Sequence, residues 1–199
     1  MKTAFCFDLD GTVTSTEILP CIASELGIAD EIATLTRATM DGHIPFEASF
    51  RLRCLILSRV EPSRIRNIVA EIPLDSSLLS FIQENRNDTF IVTGNLDIWV
   101  QPIIELCQCH LISSTGIYEN DRLHIKNILN KAIAVSNVRA LGYERVVAVG
   151  DGANDAPMLS ASDISVAFGG VHTPSTIARS ASQYIIHDGA TLCKMLRAL

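Results

Sequence analysis

Two pairs of aspartates and one lysine dominate the chemistry open to this chain. Asp8 and Asp10 stand where the apolar run Ala4-Phe5-Cys6-Phe7 enters the turn Leu9-Asp10-Gly11-Thr12. Asp151 and Asp155 follow a second such run, Val146-Val147-Ala148-Val149, in Gly150-Asp151-Gly152-Ala153-Asn154-Asp155. A third, Phe90-Ile91-Val92, ends in Thr93-Gly94, and Lys131 lies between the second and third in a segment read as helix. Carboxylates gathered this closely repel one another, so the site invites a divalent cation. Acids, a hydroxyl beside a glycine amide, and a lysine are what phosphoryl transfer from a metal-bound phosphate requires. One carboxylate attacks phosphorus and the others hold Mg²⁺, while hydroxyl, amide and ammonium neutralise the equatorial oxygens.

The elements that carry these residues follow from period and punctuation. Short apolar runs bounded by glycine read as buried strands at 4–7, 89–92, 145–149, 164–168 and 183–186. Carboxylates at the ends of such strands lie where open α/β sheets place their ligands. Helices are expected over 14–26 with Gly27 as the stop, then 30–40, 46–57, 61–70, 76–86 and 97–108. Pro102 is tolerable in the last only within its first turns. Residues 110–125 read as short strands around Gly116, and a helix runs through Lys126, Lys131 and Arg139 to Gly142. Nothing between 14 and 73 alternates like a strand. The expectation is a Rossmann-like parallel sheet with helices on both faces (residues 1–13 and 74–199) and a small helical cap, 14–73, inserted after the first strand.

Composition narrows the class. The 199 residues are 48% hydrophobic with a formal net charge of −6, which fits a soluble globular protein with one core. That acidic balance argues against nucleic acid as a partner. No apolar run approaches a membrane span, and nothing before the first strand resembles a signal peptide, so the expectation is no membrane association. The six scattered cysteines read as reduced thiols of a cytoplasmic protein. Cys107-Gln108-Cys109-His110 suggests zinc only weakly, since other soft ligands fall in separate elements.

Asp8-Leu9-Asp10-Gly11-Thr12-Val13-Thr14, Thr93-Gly94, Lys131 and Gly150-Asp151-Gly152-Ala153-Asn154-Asp155 resemble, in order, the four motifs of the haloacid dehalogenase superfamily of phosphatases. The resemblance implies that Asp8 is the nucleophile and becomes an aspartyl phosphate. It implies that Asp10 protonates the leaving alkoxide and then deprotonates the hydrolytic water. Mg²⁺ would be held by Asp8, the backbone carbonyl of Asp10, and Asp151, with Asp155 as a ligand or ordering bound water. Thr93, Gly94, Lys131 and Asn154 would form the phosphate cradle, with Lys126 a rival for the lysine's place. The last motif also resembles the hinge of P-type ion pumps, but those carry a threonine where this chain has Asp10 and need membrane helices. A purely regulatory phospho-ligand-binding protein would be expected to have lost Asp8 or Asp10.

Within the superfamily the chain is most similar to the phosphoserine phosphatase group. Glu17 falls nine residues after Asp8, as that group's substrate-reading glutamate does. Met40, Phe46 and Arg53 match a cap segment whose methionine, phenylalanine and arginine surround the amino acid, and Arg51 is expected to face solvent. The chain departs at Asn95, which sets a side chain where the group has glycine, and in 96–125, where Trp99 and Pro102 fall in a helix expected to lie near the site. The implied partner is a small phosphorylated metabolite, phosphoserine or another carboxylate- or amine-bearing phosphomonoester, and the implied assembly a monomer or homodimer.

Overall fold

A computed structural model describes residues 2–199. Its seven strands are β1 (Thr3–Phe7), β2 (Thr89–Leu96), β3 (His110–Glu119), β4 (Arg122–Asn127), β5 (Arg145–Gly150), β6 (Ile164–Phe168) and β7 (Tyr184–Ile186). They form one sheet in the order β4-β3-β2-β1-β5-β6-β7, parallel throughout except that β4 runs antiparallel to β3. The helices are α1 (Ile18–Ala23), α2 (Ala29–Met40), α3 (Phe46–Leu57), α4 (Pro62–Ala70), α5 (Ser76–Glu84), α6 (Asp97–Cys107), α7 (Lys131–Ala140), α8 (Ala156–Ala161), α9 (Thr176–Ser180) and α10 (Gly189–Leu196). The α/β expectation holds, with α1–α4 inserted after the first strand.

Strand β1 shows why the sheet is covered twice. Its side chains alternate faces, as the two-residue period of a strand demands. Phe5 and Phe7 join the larger core and meet Phe81 of α5 edge-on at 5.0 and 6.1 Å between ring centroids. Ala4 and Cys6 join a second core on the opposite face, with Ala134, Val135 and Val138 of α7. β1 lies between β2 and β5, where the chain order reverses, so its carboxyl end opens into the crevice that such sheets use for ligands.

Four local expectations are corrected. The first helix begins at Ile18 and not at Thr14, because residues 14–15 are drawn into extended pairing: Thr14 bridges Leu74, and Ser15 N donates to Pro73 O at 2.8 Å. These bonds tie the two ends of the segment 14–73 side by side. The hairpin turns at Asn120 and Asp121, with φ of 49° and 59°, while Gly116 lies inside β3. Both residue types tolerate the left-handed region that a tight hairpin turn needs. Lys126 lies in β4, and α7 starts only at Lys131, after Asn130 caps it by accepting from Ala132 N at 3.0 Å. β2 also runs longer than expected, through Thr93, Gly94 and Asn95 to Leu96, with a register shift against β3 between Thr93 and Leu96.

Candidate active site

Asp8 caps β1, with its own amide bonded to Val149 O of β5 at 2.8 Å. The turn Leu9–Val13 then reverses the chain, and Gly11 adopts φ +68°, a conformation that costs a side-chain-bearing residue energy. This turn aims Asp10 beside Asp8. Asp10 Oδ1 accepts from Ile18 N at 2.8 Å, and its Oδ2 accepts from the Asn95 side-chain amide. At the end of β5, Asp151 is almost wholly buried, and Asp155 Oδ2 accepts from the amides of Asp151 and Gly152 at 3.0 and 2.9 Å. Lys131, the first residue of α7, extends its ammonium between Asp8 Oδ1 and Asp155 Oδ1, the latter at 2.5 Å. Lys126 instead pairs with Glu119 on the surface at 3.3 Å.

Asp8, Asp151 and Asp155 each present a carboxylate oxygen, all within 4.8 Å of one another. Among the described residues they are the one group of three or more acidic, histidine or cysteine side chains placed to hold a metal. Cys107, Cys109 and His110 belong to no such group; His110 stacks on Phe90 at 4.8 Å. Asp10's carboxylate lies outside the triad, turned toward Ile18 and Asn95. One ammonium cannot balance three buried carboxylates. Burial first, then repulsion from Asp155, pushes Asp8 well above its ordinary pKa against the pull of Lys131. Burial also raises Asp151, although its hydrogen bond to His172 opposes this. Burial disfavours the Lys131 ammonium as well, but Asp155 and Asp8 outweigh it and raise its pKa. Hard oxygen donors in excess of local positive charge fit a divalent cation.

Above the carboxylates lies a cavity of about 470 Å³ of unfilled space including its mouth. Asp8, Asp10, Gly94, Asn95, Asp151 and Asn154 form its floor; Glu17, Met40, Phe46 and Arg53 line it from the helical side. Phe46 reaches the floor because residue 94 is glycine: a Cβ there would sit 2.2 Å from the ring. Thr93 is buried just below, its Oγ1 accepting from Asn95 N at 3.1 Å, which leaves its hydroxyl hydrogen unengaged. Lys131 does not line this cavity but borders an adjoining one, together with Gly94 and Asn154.

Two ionisable groups, Arg53 and Glu17, line the cavity above the carboxylates. Arg53 is 4% exposed, and its Nη1 donates to Thr36 Oγ1 at 2.8 Å. Glu17 stands at the N-terminal cap of α1, and its buried Oε1 has no hydrogen-bond partner, the one such side-chain atom among the described residues. Burial, then the charges of Asp10, Asp151 and Asp8, push the Glu17 pKa well up. Arg51 is exposed and pairs with Glu47 at 2.9 Å, as expected. Trp99 is buried and donates to Tyr118 Oη at 3.1 Å, and neither it nor Pro102 lines the cavity.

Several neighbours escaped the sequence reading. Thr36 and Thr39 line the cavity from α2, and Ile32, Thr36 and Thr39 are its buried residues. Their i, i+4, i+7 spacing was the available signal, because threonines on an otherwise apolar stripe face something polar. Thr12, whose Oγ1 lies 3.4 Å from Asp151 Oδ1, and His172, 2.6 Å from Asp151 Oδ2, offered no local signal.

The phosphoserine phosphatase of Methanocaldococcus jannaschii is 28% identical over 183 residues, covering 84% of this chain and 85% of its own. That of Bos taurus is 26% identical over 208 residues, covering 92% and 88%. Among solved structures, a phosphoserine phosphatase captured as a phospho-aspartyl intermediate analogue superposes with a TM-score of 0.84 at 24% identity, over 100% of this chain and 98% of that one, a likeness of fold. A haloacid dehalogenase family hydrolase from Salmonella enterica serovar Typhi gives a TM-score of 0.80 at 26% identity, over 96% of this chain and 69% of its own. The profile of the haloacid dehalogenase-like hydrolases matches residues 2–163, and with the carboxylates of β1 and β5 and the lysine of α7 converging as described, the chain belongs to that family.

Proposed function

We propose that this chain, a phosphatase of that family, hydrolyses O-phosphoserine to serine and phosphate with Mg²⁺ as its cation. The observation that carries the substrate is the partnerless buried oxygen of Glu17 in the same cavity as the Arg53 guanidinium. A buried carboxylate oxygen without a donor is costly, so it calls for a ligand that brings one. Phosphoserine brings an ammonium for Glu17 and a carboxylate for Arg53, and a guanidinium fork suits a carboxylate with two parallel hydrogen bonds. Met40 and Phe46 would enclose its carbon skeleton. The likeness to phosphoserine phosphatases points the same way.

In this reading the Asp8 carboxylate attacks phosphorus. An O–P bond forms to Asp8 as the bond from phosphorus to the serine oxygen breaks, and Asp10 gives that oxygen a proton. Asp10 then takes a proton from water as the water oxygen bonds phosphorus, and the acyl-phosphate bond breaks to return the electron pair to Asp8. Burial pushes the Asp10 pKa to about 6, against the pull of the Ile18 amide, which suits a group that must give and take a proton near neutrality. Thr93, Gly94, Lys131 and Asn154 would hold the phosphoryl oxygens. Asp8, Asp151, Asp155 and the Asp10 carbonyl would hold Mg²⁺, whose charge would keep Asp8 ionised and offset the negative charge of the phosphoryl group. Residues 14–73 would act as a cap on the core of 1–13 and 74–199, opening for substrate and closing to exclude water.

The test is a screen of the purified chain with Mg²⁺ against small phosphomonoesters. Phosphoserine should give the highest kcat/KM. A higher value for an ester lacking either the ammonium or the carboxylate would remove the substrate assignment and leave the phosphatase.

A further inference from the structure

His172 belongs to no motif, yet it makes the shortest side-chain contact to Asp151. Its Nε2 lies 2.6 Å from Asp151 Oδ2, and the next acidic atom, Glu17 Oε1, is 3.7 Å away, beyond hydrogen-bond range. The ring is held in place by its surroundings. The loop that carries it is fastened at one end by Gly169 N donating to Ile186 O at 2.8 Å, and at the other by Ser175 N donating to the backbone oxygen of Asp151, also at 2.8 Å. The imidazole lies against Gly11, where a Cβ would fall 2.7 Å from Cε1 and 2.8 Å from Nε2. Gly11 thus serves twice, taking the left-handed turn and leaving the ring its space. The other Asp151 oxygen has only the long 3.4 Å contact from Thr12.

We infer that His172 is a positioning residue for the cation, holding Oδ2 of Asp151 so that the carboxylate keeps one orientation beside Asp8 and Asp155. A carboxylate bonded at one oxygen loses its freedom to rotate about χ2, so the orienting cost is met by the fold before the ion arrives. The bond requires a hydrogen on Nε2, which both the Nε2–H tautomer and the imidazolium supply. This inference rests on the divalent-cation reading of the Asp8, Asp151 and Asp155 cluster.

The test is calorimetric titration of Mg²⁺ into metal-stripped protein, comparing the unaltered chain with His172→Ala and His172→Gln. The side chain is 35% exposed, so neither change empties the core, and thermal unfolding without metal checks this. Loss of an outer partner of a ligand commonly costs about 10–100-fold in metal affinity, and His172→Ala should fall in that range. His172→Gln, whose amide can still donate, should stay within about threefold of the unaltered chain. Equal affinities for the unaltered chain and His172→Ala would overturn this inference alone. So would a His172→Gln as weak as His172→Ala, since the hydrogen bond would then not be the cause. No binding by the unaltered chain would overturn the cation reading and this inference with it.

Discussion

Arg53 Nη1 donates a 2.8 Å hydrogen bond to Thr36 Oγ1, linking α3 to α2 inside the cavity wall. With Nε also directed to Ser49 O at 3.4 Å, the guanidinium is held from two sides before any ligand arrives. Preorganisation of this kind lowers the cost of fixing a long side chain on binding.

Arg53→Ala should therefore lower kcat/KM for phosphoserine by about 2 kcal/mol or more, roughly 30-fold, since a buried charge partner of the substrate is lost. Thr36→Val should cost about 1 kcal/mol through loosened positioning. Neither should change turnover of para-nitrophenyl phosphate, which has no carboxylate. Equal losses on both substrates would assign Arg53 to holding the helices together.

Asp8→Asn should abolish turnover and leave no base-labile phosphoenzyme after acid quench. Asp10→Asn should slow both chemical steps by roughly 10²–10⁴, the usual weight of general acid–base catalysis. Rapid-quench measurement with labelled substrate separates the two, and wild-type rates in Asp8→Asn would refute the covalent route.

Lys131 and Lys126 separate by burial. Removing the Lys131 ammonium in Lys131→Met leaves Asp8 and Asp155 unbalanced, and breaking a buried pair typically costs about 3–5 kcal/mol. Lys126→Met loses only an exposed pair with Glu119 and should change stability by less than about 1 kcal/mol, with activity unchanged. Urea unfolding in the absence of metal measures both.

Without metal, stability should rise as pH falls from 7.5 to 5. Burial raises Asp10 to about 6 and moves Asp8, Glu17 and Asp151 in the same direction. His172 is raised too, by its bond to Asp151. In this window the folded state binds more protons than the unfolded chain, so stability declines as pH rises. A shift of that size for Asp10 corresponds to about 3 kcal/mol at most. Mg²⁺ should flatten the slope, because it competes with protons at Asp8 and Asp151 but leaves the Asp10 and Glu17 carboxylates, outside the cluster, to titrate. Melting temperatures with EDTA and with excess Mg²⁺ across this range test the slope and its flattening. Activity should vanish with EDTA and return with Mg²⁺.

What the sequence determined by itself is local. Asp8 and Asp10 are legible because an apolar strand and a glycine turn sit next to them, and the run 150–155 has the same form. A strand followed by a tight turn places its own carboxylates, so nearest-neighbour chemistry is enough. The α/β alternation and the helical insertion are legible for a similar reason, since period and punctuation act over a few residues. Helix starts were less so: Lys126 and Lys131 are told apart by where β4 ends and Asn130 caps α7, which depends on β4 pairing with β3. The late start of α1 is not legible locally, because Thr14 and Ser15 pair with Leu74 and Pro73, about sixty residues on. The tertiary structure alone brings Glu17, Thr36, Arg53, Asn95 and His172 around one cavity and its carboxylates. Each comes from a different element, and their approach is set by how α1, α2, α3, β2 and the loop after β6 pack over the carboxyl end of β1. The offset of Glu17 from Asp8 and the α2 stripe carrying Thr36 mark out residues in the sequence, but which cavity they share depends on packing between side chains far apart in the chain.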